Sequence, residues 1–295
     1  MENPSKLNND ALTGLLLGII GVLIFSGTLP ATRVAVAGFD AWFLTFGRAT
    51  VAACCAALTL IAMRKAFPRR HLAALLFIGL TLVFGFPGFV ALAMNTVPSS
   101  HGGVVLGILP LTTTLFAVIF AGERPSPMFW FWNLLGAAII FTFTFRDGEF
   151  GFVTGDLWLL AAGITTSAGY VFSGKLSRHM PGWEVICWAL VLCAPISFAG
   201  VIWFWEPSYT SLPAQQNIAF LYVSLGSMFL GFFAWNTGLK LGGIARIGQL
   251  QLLQTFLTLA IAMVVLGETV TLETLGYAFA VLIVVIVGRK SQIKT

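Results

Sequence analysis

The segment SSHGGVVLGILPLTTTLFAVIFAGE, residues 99–123, decides how this chain is built. From Ser99 to Gly122 it carries no Lys, Arg, Asp or Glu, and it closes on Gly122-Glu123. About 20 mainly apolar residues suffice to cross the hydrocarbon core of a bilayer as a helix. The apolar residues run almost continuously instead of alternating, which selects helix over strand. A second stretch, residues 242–268, ends the same way, on Gly267-Glu268. At an offset of 145 (268 − 123), Gly103, Thr113, Gly122 and Glu123 fall on Gly248, Thr258, Gly267 and Glu268.

Other pairs recur around these two stretches. At an offset of 141, Gly85, Ala93, Asn95 and Thr96 meet Gly226, Ala234, Asn236 and Thr237; at 142, Gly21, Gly27 and Arg33 meet Gly163, Gly169 and Lys175. Apolar runs of membrane-spanning length lie at 11–29, 41–63, 72–94, 99–121, 128–145, 155–174, 183–205, 216–239, 243–266 and 271–288. The chain therefore reads as an all-α integral membrane protein of ten transmembrane helices, in two repeats at 11–145 and 155–288. Five helices per repeat is an odd number, so the second repeat enters the membrane from the opposite face. Inverted repeats around a central cavity are the signature of alternating access.

Composition supports a lipid solvent: 58% of the 295 residues are hydrophobic and 9% charged, against roughly a quarter charged in soluble domains. The connectors are short, and the first apolar run reads as a retained helix instead of a cleaved signal, since no small-residue cleavage site follows a basic start. The net charge of +5 does not call for nucleic acid, because the basic residues fall on one side. With the N-terminus in the cytoplasm, Lys6, Arg64, Lys65, Arg69, Arg70, Arg124, Lys175, Arg178, Lys240, Arg246, Arg289, Lys290 and Lys294 lie inside and only Arg33 and Arg146 outside. Retention of basic loops in the cytoplasm sets this orientation. Both termini are then cytoplasmic, in a bacterial-type inner membrane.

Chemistry is excluded by what the chain lacks. No His, Cys and carboxylate spacing suggests a metal, no phosphate-cradling glycine loop is present, and Cys54, Cys55, Cys187 and Cys193 all sit in apolar runs. No catalytic residue, metal or cofactor is expected. All eleven carboxylates fall in loops or near helix ends, so no mid-membrane acid is available to carry protons. His101, near the outer end of helix 4, is the one candidate whose charge changes near neutral pH. Arg48 is the one clear charge inside a span, roughly 10 Å deep at 1.5 Å per residue from Ala41. Two readings compete: it binds a substrate carboxylate, or it snorkels to the outer interface. The run Phe84-Gly-Phe-Pro-Gly-Phe89 in helix 3 weakens its helix at Pro87 and offers Phe86 as an aromatic wall.

Ten helices in two five-helix halves, each with Gly-Glu closing its fourth helix, resemble the drug/metabolite transporter superfamily in its EamA-repeat branch, over nearly the whole chain. Within that branch the sequence is similar to bacterial exporters of aromatic and other amino acids. The resemblance implies a central cavity lined by helices 1, 3, 4, 6, 8 and 9, with helix 2 outside it. It turns Phe25 and Ser26 of helix 1, Tyr170 of helix 6, Trp235 of helix 8, and Gln251 and Gln254 of helix 9 into substrate-binding candidates, beside Phe86 and His101. The expected partners are the bilayer and a small solute, an amino acid foremost, moved by facilitated diffusion without proton coupling. The alternatives are efflux of drugs or nucleoside-like metabolites, and a scaffold or receptor without flux.

Overall fold

A computed structural model describes residues 4–144, 154–288 and 293–294. Phe145, Arg146, Arg289 and Lys290, and three of the eleven carboxylates, Glu2, Asp147 and Glu149, lie outside them. The long helices are α1 (Asp10–Ala35), α2 (Ala41–Ala62), α3 (Arg69–Met94), α4 (Ser99–Ala121), α5 (Pro127–Thr144), α6 (Thr154–Leu176), α7 (Gly182–Trp203), α8 (Ala214–Gly242), α9 (Ile244–Leu266) and α10 (Leu272–Gly288). Eight of them are long and apolar enough to cross a membrane; α5 and α10 are shorter apolar helices. The expected count of ten is thus met by length and composition in eight. A two-residue pairing of Arg124–Pro125 with Ile293–Lys294 is the strand content among the described residues.

α1 runs further than the sequence suggests. Pro30 reads as a stop after Leu29, yet helix resumes at Thr28–Ala35. Gly27 keeps right-handed dihedrals (φ −80°, ψ −5°), and Pro30 falls in the first turn of the resumed helix, where a missing N–H costs nothing.

The packing repeats with the sequence. Relating α1 to α6, α2 to α7 and so on, α1 packs on α8 and, equivalently, α6 packs on α3; α2 packs on α7, α4 on α9 and α5 on α10. The two fourth helices end alike. Gly122 (φ 71°) and Gly267 (φ 64°) are both left-handed, and Glu123 N–H and Glu268 N–H each reach back 3.3 Å to the carbonyls of Ala117 and Ala262. This is the glycine-terminated helix end, which only a residue free of Cβ strain closes at low cost. α1 and α8 approach on glycines: a Cβ on Gly14 would lie 2.7 Å from Gly242 N, and one on Gly238 3.0 Å from Gly18 N. Without a hydrophobic drive inside lipid, such close backbone contact supplies the packing.

The helices that converge on the molecular centre are irregular there. α3 widens to a π-helical stretch at Gly79–Gly85 and α8 at Tyr222–Leu230, which overlap in part at the 141-residue offset. α4 tightens at Leu106–Ile108 before Pro110, and α9 breaks between Gly248 and Gln251. Departures from regular helix inside a membrane protein occur where backbone faces protein or a cavity.

Candidate functional site

The irregular segments surround a closed central cleft of about 360 Å³. Each helix that the resemblance places in the cavity wall contributes: Phe25 and Thr28 from α1, Leu82, Phe86 and Pro87 from α3, Leu109 from α4, Tyr170 from α6, Ser227, Met228 and Phe232 from α8, and Gln254 from α9. Helix α2 adds Arg48, which corrects its expected place outside the cavity. The widened turns explain the lining, since Leu82 lies within that of α3, Phe86 and Pro87 just after it, and Ser227 and Met228 within that of α8. As it stands the cleft admits no more than a water molecule. A neighbouring space of about 200 Å³, reached past Leu109 and Gln254, is lined by Gln251, Thr255 and Thr258.

The rings form one cluster. Phe25 lies 5.1 Å from Phe232 and 6.0 Å from Trp235 between centroids, and Tyr170 lies 5.2 Å from Trp235 and 6.1 Å from Phe232. Ring pairs at these spacings and tilts attract beyond their buried area. Polar groups stand among them. Arg48 is 2% exposed; its Nη2 donates to Ser227 Oγ at 3.4 Å, and Ser227 Oγ is 2.8 Å from Thr28 Oγ1. Arg48 Nε and Nη1 and Gln254 Oε1 have no hydrogen-bond partner among the described residues. The cleft thus offers an apolar, aromatic body, unengaged guanidinium donors and an amide acceptor, and no carboxylate lines it.

Arg48 does not snorkel. Ser227 lies thirteen residues from Ala214, roughly 20 Å along α8, so the guanidinium points deeper than its own Cα. Three other candidates lie off the cleft lining. Ser26 Oγ donates to Val22 O at 2.6 Å, the usual back-bonding of a helical serine. Trp235 is fully buried behind Phe25 and Tyr170. His101 Nε2 lies 2.7 Å from Asp156 Oδ1, with its ring against Phe143. Asn236, equivalent to Asn95, is structural: it accepts from Ser173 Oγ and donates to Gly182 O, tying α6, α7 and α8 together. Sequence reasoning missed Phe232 and Ser227, although Met228, Phe232 and Trp235 fall on one helical face by spacing.

Two carboxylates close the ends of α4 and α9. Glu268, after α9, takes the N–H groups of Ser99 (2.9 Å) and Ser100 (2.8 Å) and the Ser99 hydroxyl (2.9 Å) at the start of α4. Glu123, after α4, takes the Ala245 N–H at the start of α9, at 3.2 Å, through Oε2; its Oε1 has no partner among the described residues. Each repeat's Glu therefore caps the other repeat's fourth helix, where free N–H groups and the positive dipole end favour an anion. Since each C-terminal end meets the other's N-terminal end, α4 and α9 run antiparallel. Burial pulls the Glu268 carboxyl up, but the hydrogen bonds from Ser99 and Ser100 outweigh it and hold it below its ordinary range. Burial pushes the Glu123 carboxyl above its ordinary range, only partly offset by the Ala245 and Ile244 backbone and by Arg178.

Two larger crevices lie elsewhere, about 1010 Å³ beside Ala31, Ile218 and Tyr222 and about 630 Å³ beside Phe43 and Trp205. No charged side chain lines either, and their apolar walls suit lipid chains.

Both halves match the EamA-like transporter family, at residues 12–145 and again at 153–288. A relative in Bacillus subtilis (strain 168), described as the uncharacterized transporter YdeK, is 41% identical and covers 96% of this chain and 99% of its own. The aromatic amino acid exporter YddG of Ancylobacter novellus is 28% identical, over 70% of this chain and 71% of its own. A solved crystal structure 23% identical in sequence shares the fold at a TM-score of 0.68, covering 94% of each chain.

Proposed function

We propose that this chain, which belongs to the EamA-like transporter family, exports small metabolites across the membrane, amino acids foremost and aromatic ones among them. Membership makes it a multi-pass membrane protein of a transporter family, not of an enzyme family. The finer reading has α5 and α10 completing ten spans and the two repeats inserted in opposite senses, with both chain ends cytoplasmic. The halves then rock to open the central cleft to each side in turn.

The observation that carries this reading is the cleft itself. Six helices of the two repeats, joined by α2, bring four aromatic residues, a glutamine and an arginine to one buried point. That combination suits a zwitterion with an apolar side chain. The antiparallel α4 and α9, capped reciprocally by Glu123 and Glu268, support two inverted halves. The amino-acid exporter among the relatives supports the substrate class. Among the described residues no carboxylate stands in the middle of a span, which favours movement down the substrate gradient over proton coupling.

Solute counterflow tests the reading. Liposomes holding the purified protein and loaded with unlabelled L-phenylalanine should transiently accumulate external labelled L-phenylalanine. An imposed pH gradient with equal substrate on both sides should drive nothing. Absence of counterflow across a panel of amino acids overturns the amino-acid reading, and uptake driven by the pH gradient alone overturns uncoupled transport.

A further inference from the structure

Arg48 breaks a rule of the bilayer. A charge held inside a span is costly and is retained where it meets a partner, yet no carboxylate among the described residues pairs with this one. Its single hydrogen bond among the described residues is the long 3.4 Å bond to the Ser227 hydroxyl. Nε and Nη1 are left without partners among the described residues, in a side chain 2% exposed. Ser227, itself bonded to Thr28 at 2.8 Å, takes one Nη2 N–H, and Arg48 lines the cleft beside Phe25, Phe86 and Phe232. A planar guanidinium matches the two oxygens of a carboxylate along either edge, Nε with Nη2 or Nη1 with Nη2; Nη2 has a second N–H beside the one that Ser227 takes. A lysine ammonium would offer the charge without that geometry.

We propose that Arg48 is the anchor for the carboxylate of the transported solute, and that the site selects organic acids with an aromatic or branched apolar body, whether or not they carry an amino group. The inference rests on the transport reading above and deepens it to a substrate class. Its electrostatics are simple. The cleft lining holds one fixed positive charge and no negative one. An acid neutralises it on entry, a zwitterion neutralises it with its carboxylate, and an amine without a carboxylate adds a second positive charge to a poorly solvated space. The empty protein bears a destabilising feature that the solute relieves, as expected of a group kept for binding and not for packing.

Three probes that share one ring separate the charges: L-phenylalanine, 3-phenylpropionate and phenethylamine. Binding is read on the purified wild type and on Arg48→Gln, Arg48→Lys and Arg48→Met, by calorimetry and by ligand-induced shift in Tm. The wild type should bind the two carboxylates, and the amine at least tenfold more weakly. Arg48→Gln should weaken both carboxylates at least tenfold, and Arg48→Lys should recover only part of the loss. Arg48→Met, which fills the space without the charge, should raise Tm of the ligand-free protein while abolishing the carboxylate-induced shift. A structural role predicts the reverse, a lower Tm with affinity unchanged in whatever variant folds. Carboxylate affinities within twofold of wild type in Arg48→Gln, or preferred binding of the amine by the wild type, overturn the proposal. Neither outcome touches the transport reading, which counterflow tests on its own. If counterflow is seen with amines and not with acids, transport stands and the carboxylate anchor falls.

Discussion

At the scale of single residues, the two Gly-Glu carboxylates are equivalent by sequence and opposite in electrostatics. Glu268 sits below its ordinary range, so its folded form holds protons less tightly than the unfolded chain. Its contribution is present above the usual carboxylate range and is lost as pH falls through the folded value. Glu123 sits above its ordinary range, so the folded form holds protons more tightly. Its contribution is present at low pH and is lost as pH rises through the folded value. Glu268→Gln should therefore lower stability at pH 7.5, by about 1–2 kcal/mol for the lost caps. Glu123→Gln, which mimics the protonated acid, should be neutral or stabilising there. Thermal unfolding of both variants in detergent at pH 7.5 and pH 5 checks the signs; equal losses at pH 7.5 would contradict the asymmetry.

The same scale shows what the sequence hides. Arg48 stands out in the sequence as a lone charge, but the direction of its head is decided by Ser227, 179 residues away, which no local pattern reveals. Phe25, Phe86, Tyr170 and Gln254 border the cleft, Gln251 borders the neighbouring space, and Ser26, Trp235 and His101 turn elsewhere. Azimuth is the reason. Facing is reckoned at 100° per residue along a regular helix, and each widened turn or break in α3, α4, α8 and α9 resets the count in the middle of a span.

At the scale of elements, the apolar runs locate the long helices to within a few residues at every end but the C-terminal end of α1, because membrane helices are set by length and hydropathy. The breaks are less legible: Pro87 and Pro110 announce weak points, but the π-helical stretch of α8 contains no proline. The ends of α4 and α9 are legible, because Gly before Glu supplies both the left-handed turn and the cap. Nothing lies within 4 Å of a Cβ built on Gly122 or Gly267, so the cost of Gly122→Ala or Gly267→Ala is backbone strain alone, about 1 kcal/mol each. Gly14→Val has no such escape, since its Cβ would meet the Gly242 backbone at 2.7 Å and α1 would have to leave α8. A modest fall in Tm for the two alanines and loss of the monodisperse folded species for the valine are the expected outcomes. An unfolded Gly267→Ala or a well-folded Gly14→Val would contradict this account of the packing.

At the scale of the whole molecule, the family model matches the chain twice, and the proposed inversion gives the two units opposite senses of insertion. The packing satisfies the relation: α1 on α8 mirrors α6 on α3, and α2–α7, α4–α9 and α5–α10 pair with their own equivalents. If this exchange also holds in the bilayer, Arg124 and Thr269, each one residue past its Gly-Glu pair and both exposed, must face opposite compartments. The proposed orientation, with the basic connectors cytoplasmic, puts Arg124 inside. Replacing Cys54, Cys55, Cys187 and Cys193 leaves a background for Arg124→Cys and Thr269→Cys. A membrane-impermeant maleimide added to intact cells should label Thr269→Cys at once and Arg124→Cys only after permeabilisation. Labelling of both from one side would abolish the inversion. Alternating access would lose its structural basis with it, because two halves inserted in the same sense cannot exchange an outward-open form for its inward-open mirror. The Arg48 site would survive that result as a binding site, while the route by which a solute crosses would have to be sought elsewhere.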